Sequence, residues 1–422
     1  MQDNEKKPAL RFKGFTDPWE QRKLGEAFDF TVPNNMLSRA ELNQESGSVR
    51  NVHYGDVLIK YGSVLDAQND ELPFITGRSK DDFKGALLQN GDIIIADTAE
   101  DETTGKVCEI VNIQDKDVVA GLHTMVCRPK NKTAEGYFGY YMNSSSYHHQ
   151  LLPLMQGIKV LSLSKTNVQK TTVKYPKDKA EQQKIADCLR RIDSLITLHQ
   201  RKYEKLLNIK KSMLDKMFPQ NGVSVPEIRF KGFTDPWEQR KISELAEKTY
   251  GGGTPTTSNE AFWNGNIPWI QSSDIVDGKL MGVEPRKYIT QTGLNNSATQ
   301  LVPKDSIAII TRVGVGKLAY MPFSYSTSQD FLSLSKLNTE PFFTVYACYK
   351  KLQSELNTVQ GTSIKGITKD ELLAKTISVP VYSEQKQIGS FFTQLDTLIT
   401  LHQRKLEKLQ NIKKSCLEKM FV

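Results

Sequence analysis

The stretch "DSLITLHQRKYEKLLNIKKSMLDKMF", residues 193–218, decides how the chain must fold, because it returns almost unchanged as "DTLITLHQRKLEKLQNIKKSCLEKMF" at 396–421. In and just before both copies, apolar residues recur at alternating steps of four and three, with a histidine and a lysine at matching places. A pattern sustained for about five heptads is typical of a coiled coil rather than of an ordinary surface helix. We therefore predict two long helices, at 181–218 and 384–421, each roughly 55 Å long at about 1.5 Å per residue.

A second, shorter repeat marks the start of each half. "RFKGFTDPWEQRK" occupies 11–23 and recurs letter for letter at 229–241. Its Asp-Pro-Trp-Glu has the composition of a helix N-terminus, with Asp17 as the N-cap, Pro18 at the first position and Glu20 closing a capping box. The sequence predicts that both copies begin a helix and that their aromatic residues pack in the core.

The repeats divide the chain into two halves of the same order, short repeat, variable block and long helix. The expected segments are a first domain at 1–177, a central helix at 178–218, a linker at 219–225, a second domain at 226–380 and a C-terminal helix at 381–422. The chain must return through a whole domain between the helices, so we expect them to pair antiparallel. The predicted fold class is α+β, with two mixed α/β domains separated by two long antiparallel coiled-coil helices in a pseudo-twofold internal repeat.

The predicted helix-pair interface follows the apolar seam. If the helices overlay end to end, the two histidines of the seam meet near the centre as polar markers of register; a pH switch or a metal site is the alternative, although two lone histidines make a poor ligand set. The interface residues are Ile192, Ile196, His199, Leu206, Leu395, Ile399, His402 and Leu409.

Composition limits the possible partners and locations. The net charge of +8 over 422 residues is concentrated in the repeated segments, and the variable blocks are close to neutral. Nucleic acid would therefore be held by local patches or with the help of other subunits. The five scattered cysteines contain no C-x-x-C and argue against disulfides and a zinc site. No run of apolar residues is long enough to cross a bilayer and the N-terminal residues form no signal core, so we expect a cytoplasmic protein without a membrane partner.

The two variable blocks share a pattern despite different sequences. "NGDIIIADT" (90–98) and "KDSIAIITR" (304–312) each combine a turn with a β-rich run, and each leads to a Gly-Lys pair, at 105–106 and 316–317. We infer one fold with different surface residues. Such an arrangement favours a protein whose two domains recognise two different targets with the same fold.

Motifs of catalytic chemistry are missing. "RVGVGKLA" (312–319) lacks the hydroxyl residue of a phosphate-binding loop, so it is interpreted as a glycine turn between strands, with backbone approach to a phosphate as the alternative. The sequence contains no H-E-x-x-H, no G-x-S-x-G and no zinc deaminase signature. We predict no catalytic residue, no metal and no cofactor in this chain.

Candidate DNA-binding residues lie in loops of both blocks. "YGGGTPTTSNEAFWNGNIPWIQSSDI" (250–275) combines glycines, two tryptophans and polar side chains whose donors and acceptors suit base edges. The candidates are Thr98 and Lys106 in the first block and Thr254, Gln271, Ser273, Arg312 and Lys317 in the second.

These motifs together resemble the specificity subunits of type I restriction-modification enzymes. The resemblance covers essentially the whole chain and is carried by the duplicated "GFTDPWEQRK", by "GGGTPTTSNEAFWNGNIPW", by "GLNNSATQLVPKDSIAIITRVGVGK", and by the approach to "LDTLITLHQRKLEKLQNIKKS". It implies two target-recognition domains, each reading one half of a split double-stranded DNA target, and helices that act as a spacer and dock two methyltransferase subunits. S-adenosylmethionine, ATP and magnesium are expected on partner subunits, which also include translocating endonuclease (restriction) subunits.

Two other functions remain open on sequence grounds. A coiled-coil adaptor with two protein-binding heads would show no DNA binding, or salt-insensitive binding, even with methyltransferase subunits added. A single-chain DNA methyltransferase or nuclease would modify or cut DNA by itself.

Overall fold

The computed structural model describes residues 7–220, 223–358 and 366–422, so residues 221–222 of the predicted linker lie outside the described part. The chain forms two compact units, Met1–Gln200 with Arg404–Val422, and Arg201–Gln403. Each unit therefore combines one variable block with half of each long helix. The divisions fall beside His199 and His402, near the predicted midpoints of the helices.

The first unit is built on two sheets. In spatial order, the larger sheet contains Phe28–Asp29, Thr124–Pro129, Ile93–Ala96, Val107–Val111 and Val64–Asp66, and the smaller contains Asp117–Ala120, Val49–Val52, Phe74–Ile75 and Leu42–Asn43. Glu20–Lys23 pairs with Thr172–Tyr175, and Thr98–Ala99 pairs with Leu161–Ser162. The short helices are Leu24–Ala27, Tyr54–Ile59, Tyr137–Met142, Ser145–His148 and Lys165–Lys170, with 3-10 turns at Arg39–Glu41, Lys80–Phe83 and Leu152–Leu154.

The second unit repeats this plan with fewer strands. Its larger sheet contains, in spatial order, Ala246–Gly251, Phe331–Leu337, Ser306–Ile310 and Leu318–Met321, and its smaller sheet Lys287–Ile289, Trp263–Ile270 and Ser326–Thr327. Glu238–Lys241 pairs with Thr376–Val379. The helices are Gln291–Asn295, Pro341–Thr358 and Lys369–Ala374, with 3-10 turns at Ile242–Glu244, Glu260–Phe262 and Ser272–Asp274. The matching strand order confirms that the two blocks share a fold.

The long helices are Lys179–Lys216 and Tyr382–Lys419, each of 38 residues, close to the predicted bounds. In the first unit, Ile185 and Leu189 share a core with Met420 and Phe421, while the more distant Asp193 pairs with Lys413. The two half-helices therefore run antiparallel in this unit. No helix in the described ranges is long and apolar enough to cross a membrane.

The second unit pairs the other two half-helices in the same way. Leu214 and Phe218 share a core with Ile388 and Phe392, and Lys210 pairs with Asp396. The predicted antiparallel pairing is thus confirmed inside each unit. Of the predicted interface positions, Ile192, Leu395 and Ile399 are buried and Ile196, His199, Leu206, His402 and Leu409 are half-buried.

The prediction that Asp-Pro-Trp-Glu begins a helix is wrong. In both copies the residues after the tryptophan, Glu20–Lys23 and Glu238–Lys241, form a β-strand whose partner lies far along the chain. A strand forms despite the local capping residues because it can pair with Thr172–Tyr175 or Thr376–Val379. This pairing satisfies the hydrogen-bonding groups of its backbone. The prediction for the tryptophans is confirmed, since Trp19 and its counterpart Trp237 are 2% and 3% exposed.

Candidate nucleic-acid interface

An ion pair fixes each copy of the short repeat to its own half's long helix. The Arg11 guanidinium donates to both carboxylate oxygens of Glu181, at 2.7 and 2.9 Å, and Arg229 does the same to Glu384, at 2.8 Å each. Both carboxylates are buried, and hydrogen bonds to them raise the pKa of each arginine. The duplicated sequence therefore builds one rigid anchor twice.

A three-residue contact joins each domain to the helix pair. In the first unit, the Tyr140 hydroxyl donates to Asp193 Oδ2 at 2.8 Å, and Lys413 Nζ lies 2.6 Å from Asp193 Oδ1. This arrangement explains why a lysine occupies the apolar seam. In the second unit, Tyr346, Asp396 and Lys210 make the same contact.

The loops that differ between the domains lie at one edge of each. In the first domain, strands Val49–Val52 and Asp117–Ala120 are parallel, so their carboxyl ends lie on the same side. The Gly121 amide donates to the Val52 carbonyl, and the Asp97 amide donates to the His123 carbonyl. We call the side chains at this side, His53, Tyr54, Thr98 and His123, the first recognition edge.

The second domain has the corresponding edge. Strands Trp263–Ile270 and Ser326–Thr327 are parallel, the Ser328 amide donates to the Ile270 carbonyl, and the Thr311 amide donates to the Asp330 carbonyl. These bonds match those of the first domain position by position. The second recognition edge therefore contains Gln271, Ser272, Arg312 and Asp330.

Aromatic rings and a hydroxyl dominate the first recognition edge. The Tyr54 ring lies 4.6 Å from the ring of His53 and 5.3 Å from that of His123, centroid to centroid. The Thr98 hydroxyl donates to Asp97 Oδ1 at 2.8 Å and lies 3.3 Å from His123 Nδ1. Burial, followed by the charge of Arg39, lowers the pKa of His53. This edge offers flat rings, ring nitrogens and a hydroxyl group.

Amides and an exposed guanidinium distinguish the second recognition edge. Thr254 donates to the Gln329 side chain at 2.7 Å, which places both beside Asp330. Arg312 is exposed at the start of the turn between Ser306–Ile310 and Leu318–Met321. This confirms that "RVGVGKLA" contains a glycine turn between strands. Its Gly316 has a φ of 90°, matching 89° at Gly105.

Two of the three consecutive glycines in the second domain serve internal packing. A Cβ on Gly252 would lie 1.8 Å from the Ser328 carbonyl oxygen, and one on Gly253 would lie 2.5 Å from the backbone at Ala298. Gly251, by contrast, faces open space. Close approach of the backbone is therefore required, but by the protein's own strands.

The seven predicted DNA-binding residues differ in their location and exposure. Thr98 lies at the first recognition edge and Gln271 and Arg312 lie at the second, while Thr254 contacts Gln329 beside it. Ser273 is exposed in the turn after Gln271, and Lys317 is half-buried behind the glycine turn. The Lys106 ammonium donates to the Leu58 carbonyl at 2.7 Å, and burial lowers its pKa.

Sequence reasoning missed His53, Tyr54 and His123. The signal was present, because "VHYGD" at 52–56 and "IQSSD" at 270–274 both follow a strand and end in aspartate. It could be recognised only once the strands were aligned. Within the described ranges, no group of three or more His, Cys, Asp or Glu side chains could hold a metal ion.

Known proteins share this architecture. The family model for the type I restriction modification DNA specificity domain matches residues 16–208 and 234–411. The chain is 22% identical over 411 residues to a protein of Methanocaldococcus jannaschii named as the type I restriction enzyme MjaX specificity subunit, covering 94% of this chain and 91% of the relative. It is 30% identical over 169 residues to the EcoR124I/EcoR124II specificity subunit of Escherichia coli, covering 38% and 41%.

Solved structures agree on the fold. The S subunit of a type I restriction-modification system from M. genitalium superposes with a TM-score of 0.63 at 15% identity, over 99% of both chains. A chain from a structure concerned with complex assembly and conformational transition of the type I R-M system gives 0.50 at 17% identity, over 96% of this chain and 97% of that one. The chain belongs to the type I restriction-modification DNA specificity family and is a specificity subunit with two target-recognition domains.

Proposed function

We propose that this chain is a non-catalytic reader of a bipartite DNA target, with each recognition edge reading one half. The strongest support is the contrast between the repeated arginine–glutamate anchors and the two recognition edges. The anchors Arg11–Glu181 and Arg229–Glu384 have the same residues and nearly the same distances. The edges they support share geometry but no side chain at the four corresponding positions. Identical anchors that support recognition edges with different side chains suit a target whose two halves differ.

The proposal assigns the contact with methyltransferase subunits to the outer face of the long helices. Leu195 and Leu198 are 44% and 45% exposed, and their counterparts Leu398 and Leu401 are 45% and 43% exposed. Exposed leucines repeated on two helices support contact with two copies of one partner, since the same surface is offered twice.

The remaining chemistry of the complex belongs to other subunits in this proposal. S-adenosylmethionine would be bound by the methyltransferase subunits, and ATP and magnesium by endonuclease and translocase subunits. The sequence supports this division because it contains no G-x-x-x-x-G-K-[ST] motif. The long helices would then set the distance between the half-targets.

A block exchange tests the assignment of reading to the domains. Residues 246–375 are replaced by the corresponding block of another specificity subunit, and the methylated motif is determined by sequencing the methylome of cells carrying the complex. We expect one half of the motif to change and the other to stay. A change in both halves would refute independent reading.

Stoichiometry tests the docking surface. Leu195→Glu and Leu398→Glu are each expected to reduce the methyltransferase subunits bound per chain from two to one, measured by native mass spectrometry. Leu207→Gln is the matched control, because Leu207 is 38% exposed on the same helix but its counterpart in the other repeat is Gln410. Two subunits retained by both glutamate variants would place docking elsewhere.

Matched insertions test the spacer role. Adding the same number of helical turns to both long helices should widen the gap between the half-targets by about 5.4 Å per turn, or about 1.5 base pairs. An unchanged gap would disprove that role. Methyl transfer or cleavage by the purified chain alone would instead establish an enzyme, and DNA binding that is absent with methyltransferase subunits present would establish an adaptor.

A further inference from the structure

Both domains place an aspartate at the same point beside the recognition edge. Asp56 is the fourth residue after strand Val49–Val52, and Asp274 is the fourth after strand Trp263–Ile270. Each lies in the first turn of the helix or 3-10 turn that follows its strand. Both are nearly buried, at 7% exposure. A buried carboxylate requires a charged or hydrogen-bonding partner.

In the first domain that partner is Arg39. Its two terminal nitrogens donate to the two oxygens of Asp56, both at 2.7 Å, and this hydrogen bonding raises the pKa of the guanidinium. The Arg39 side chain nevertheless remains 54% exposed. Of its five N–H groups, two are used by Asp56 and three remain for a ligand.

In the second domain the partner is Arg286. Its Nε lies 3.5 Å from Asp274 Oδ1, and its side chain is 65% exposed. Asp274 Oδ2 accepts a hydrogen bond from the Gln271 backbone N–H at 3.0 Å. Within the described part of the chain, Oδ1 is buried and accepts no hydrogen bond. Arg286 is thus held near the edge by charge, and its exposed side chain leaves its donors accessible.

The two arginines come from unrelated positions. Arg39 precedes its domain's edge strand, in a turn fixed by the Ser38 and Glu41 capping box, whereas Arg286 follows its strand in the next loop. The aspartate is common to both domains, but the arginine is supplied by the part of each block that differs. This is the pattern expected where a shared support carries a reader specific to each half.

We propose that Arg39 and Arg286 each read a guanine in the major groove, one in each half of the target, and that Asp56 and Asp274 position them. Arginine paired in bidentate fashion with guanine O6 and N7 is the commonest specific contact with a base. A carboxylate that fixes the guanidinium reduces the conformational entropy lost on binding. The inference rests on the proposed function, because it requires that the recognition edges face DNA.

The test uses the chain in complex with its methyltransferase subunits. The methylated motif of the unaltered complex is determined first, and then those of Arg39→Ala, Arg39→Lys and Asp56→Asn. We expect Arg39→Ala to relax the requirement for one guanine in one half by about tenfold or more, leaving the other half unchanged. Asp56→Asn should relax the same position, and Arg286→Ala should relax a guanine in the other half. Arg39→Lys, which keeps the charge without the planar fork, should not restore the preference.

Matched controls come from the shared frame. Arg22→Ala and Arg240→Ala remove arginines that are ion-paired to Glu20 and Glu238 and whose side chains are 44% and 40% exposed. Both should leave the motif unchanged. The inference fails if either half of the native motif has no G·C pair. It also fails if Arg39→Ala weakens binding equally for all sequences and lowers the salt dependence, which would indicate a phosphate contact. A bipartite motif in the unaltered complex would sustain the proposed function in either case.

Discussion

Lys210 Nζ lies 2.6 Å from Asp396 Oδ1, joining the central helix to the C-terminal helix inside the second unit. Asp396 Oδ2 also accepts a hydrogen bond from the Tyr346 hydroxyl at 2.6 Å. The corresponding residues Lys413 and Asp193 make the same contact at the same distance in the first unit. A charged pair at a seam position sets the register of the two helices, because sliding either helix by one residue would leave both charges unpaired.

The strength of these pairs should follow their burial. A double-mutant cycle with Lys210→Met and Asp396→Asn should give a coupling energy of about 1–3 kcal/mol, because the side chains are only 11% and 17% exposed. The pair Lys413–Asp193, at 25% and 30%, should give less. Arg240–Glu238 is the control, since its 40% and 69% exposure predicts about 0–0.5 kcal/mol. Denaturant unfolding measures all three, and equal couplings would contradict a dependence on burial.

The first unit should lose stability as the pH rises through 7. Burial raises the pKa of Glu109 from an ordinary 4.5 to about 7, although the Gly136 and Gly139 amides, which donate to it, oppose the shift. The folded state therefore holds its proton more tightly than the unfolded state, so the stabilisation is full below pH 4.5 and is lost above pH 7.

Glu109→Gln should remove roughly 3 kcal/mol of this pH dependence, because the side-chain amide does not titrate. Its single oxygen can accept from only one of the two glycine amides, so the variant should also be less stable at every pH. Unfolding curves at pH 5 and pH 8 measure the difference. The control is Glu135→Gln, whose carboxylate is 51% exposed and paired with Arg190. An unchanged pH dependence in Glu109→Gln would show that another group is responsible.

Neighbouring glycines should respond differently to a methyl group. Gly252→Ala places a Cβ 1.8 Å from the Ser328 carbonyl oxygen, so the second recognition edge must shift, at a cost of about 1–3 kcal/mol or more. Gly251→Ala meets no atom within 4 Å and should change stability by less than about 0.5 kcal/mol. Thermal unfolding compares the two, and similar melting temperatures would show that the strands accommodate the methyl group.

The phenylalanine two residues after the C-terminal helix should be essential to the first unit. Phe421 is 3% exposed, with its ring centroid 5.8 Å from that of Tyr137 and 5.6 Å from that of Tyr141. Phe421→Ala should destabilise this unit by about 3–5 kcal/mol. Fluorescence of Trp19 reports the transition. Ile158→Ala, which alters a side chain 99% exposed, serves as the control and should have almost no effect.

The repeated parts of the molecule could be predicted well from the sequence. Helix bounds, antiparallel pairing and the common fold of the two blocks follow from period and duplication, which are local or internal signals. The lysines at 210 and 413 were visible only as exceptions in the seam. Their partners, Asp193 and Asp396, could be identified only once the helices were aligned against each other.

The recognition edges were predicted less completely because they are assembled from distant segments. His53 and His123 are 70 positions apart, yet their contacts with Tyr54 bring them together. The strand Glu20–Lys23 was missed for the same physical reason, since its partner lies about 150 residues away. Local composition could not signal either arrangement.

The same backbone hydrogen bond joins the start of each half to the end of a long helix. The Ile228 amide donates to the Lys216 carbonyl at 2.9 Å, and the Leu10 amide donates to the Lys419 carbonyl at 2.8 Å. Lys216 and Ile228 are also connected by the short stretch of chain between them. Leu10 and Lys419, in contrast, are far apart in the sequence. The same contact therefore forms inside each unit, whether or not the chain connects its two partners nearby. A half-length chain paired with its own copy would therefore form this hydrogen bond at both places without a covalent connection.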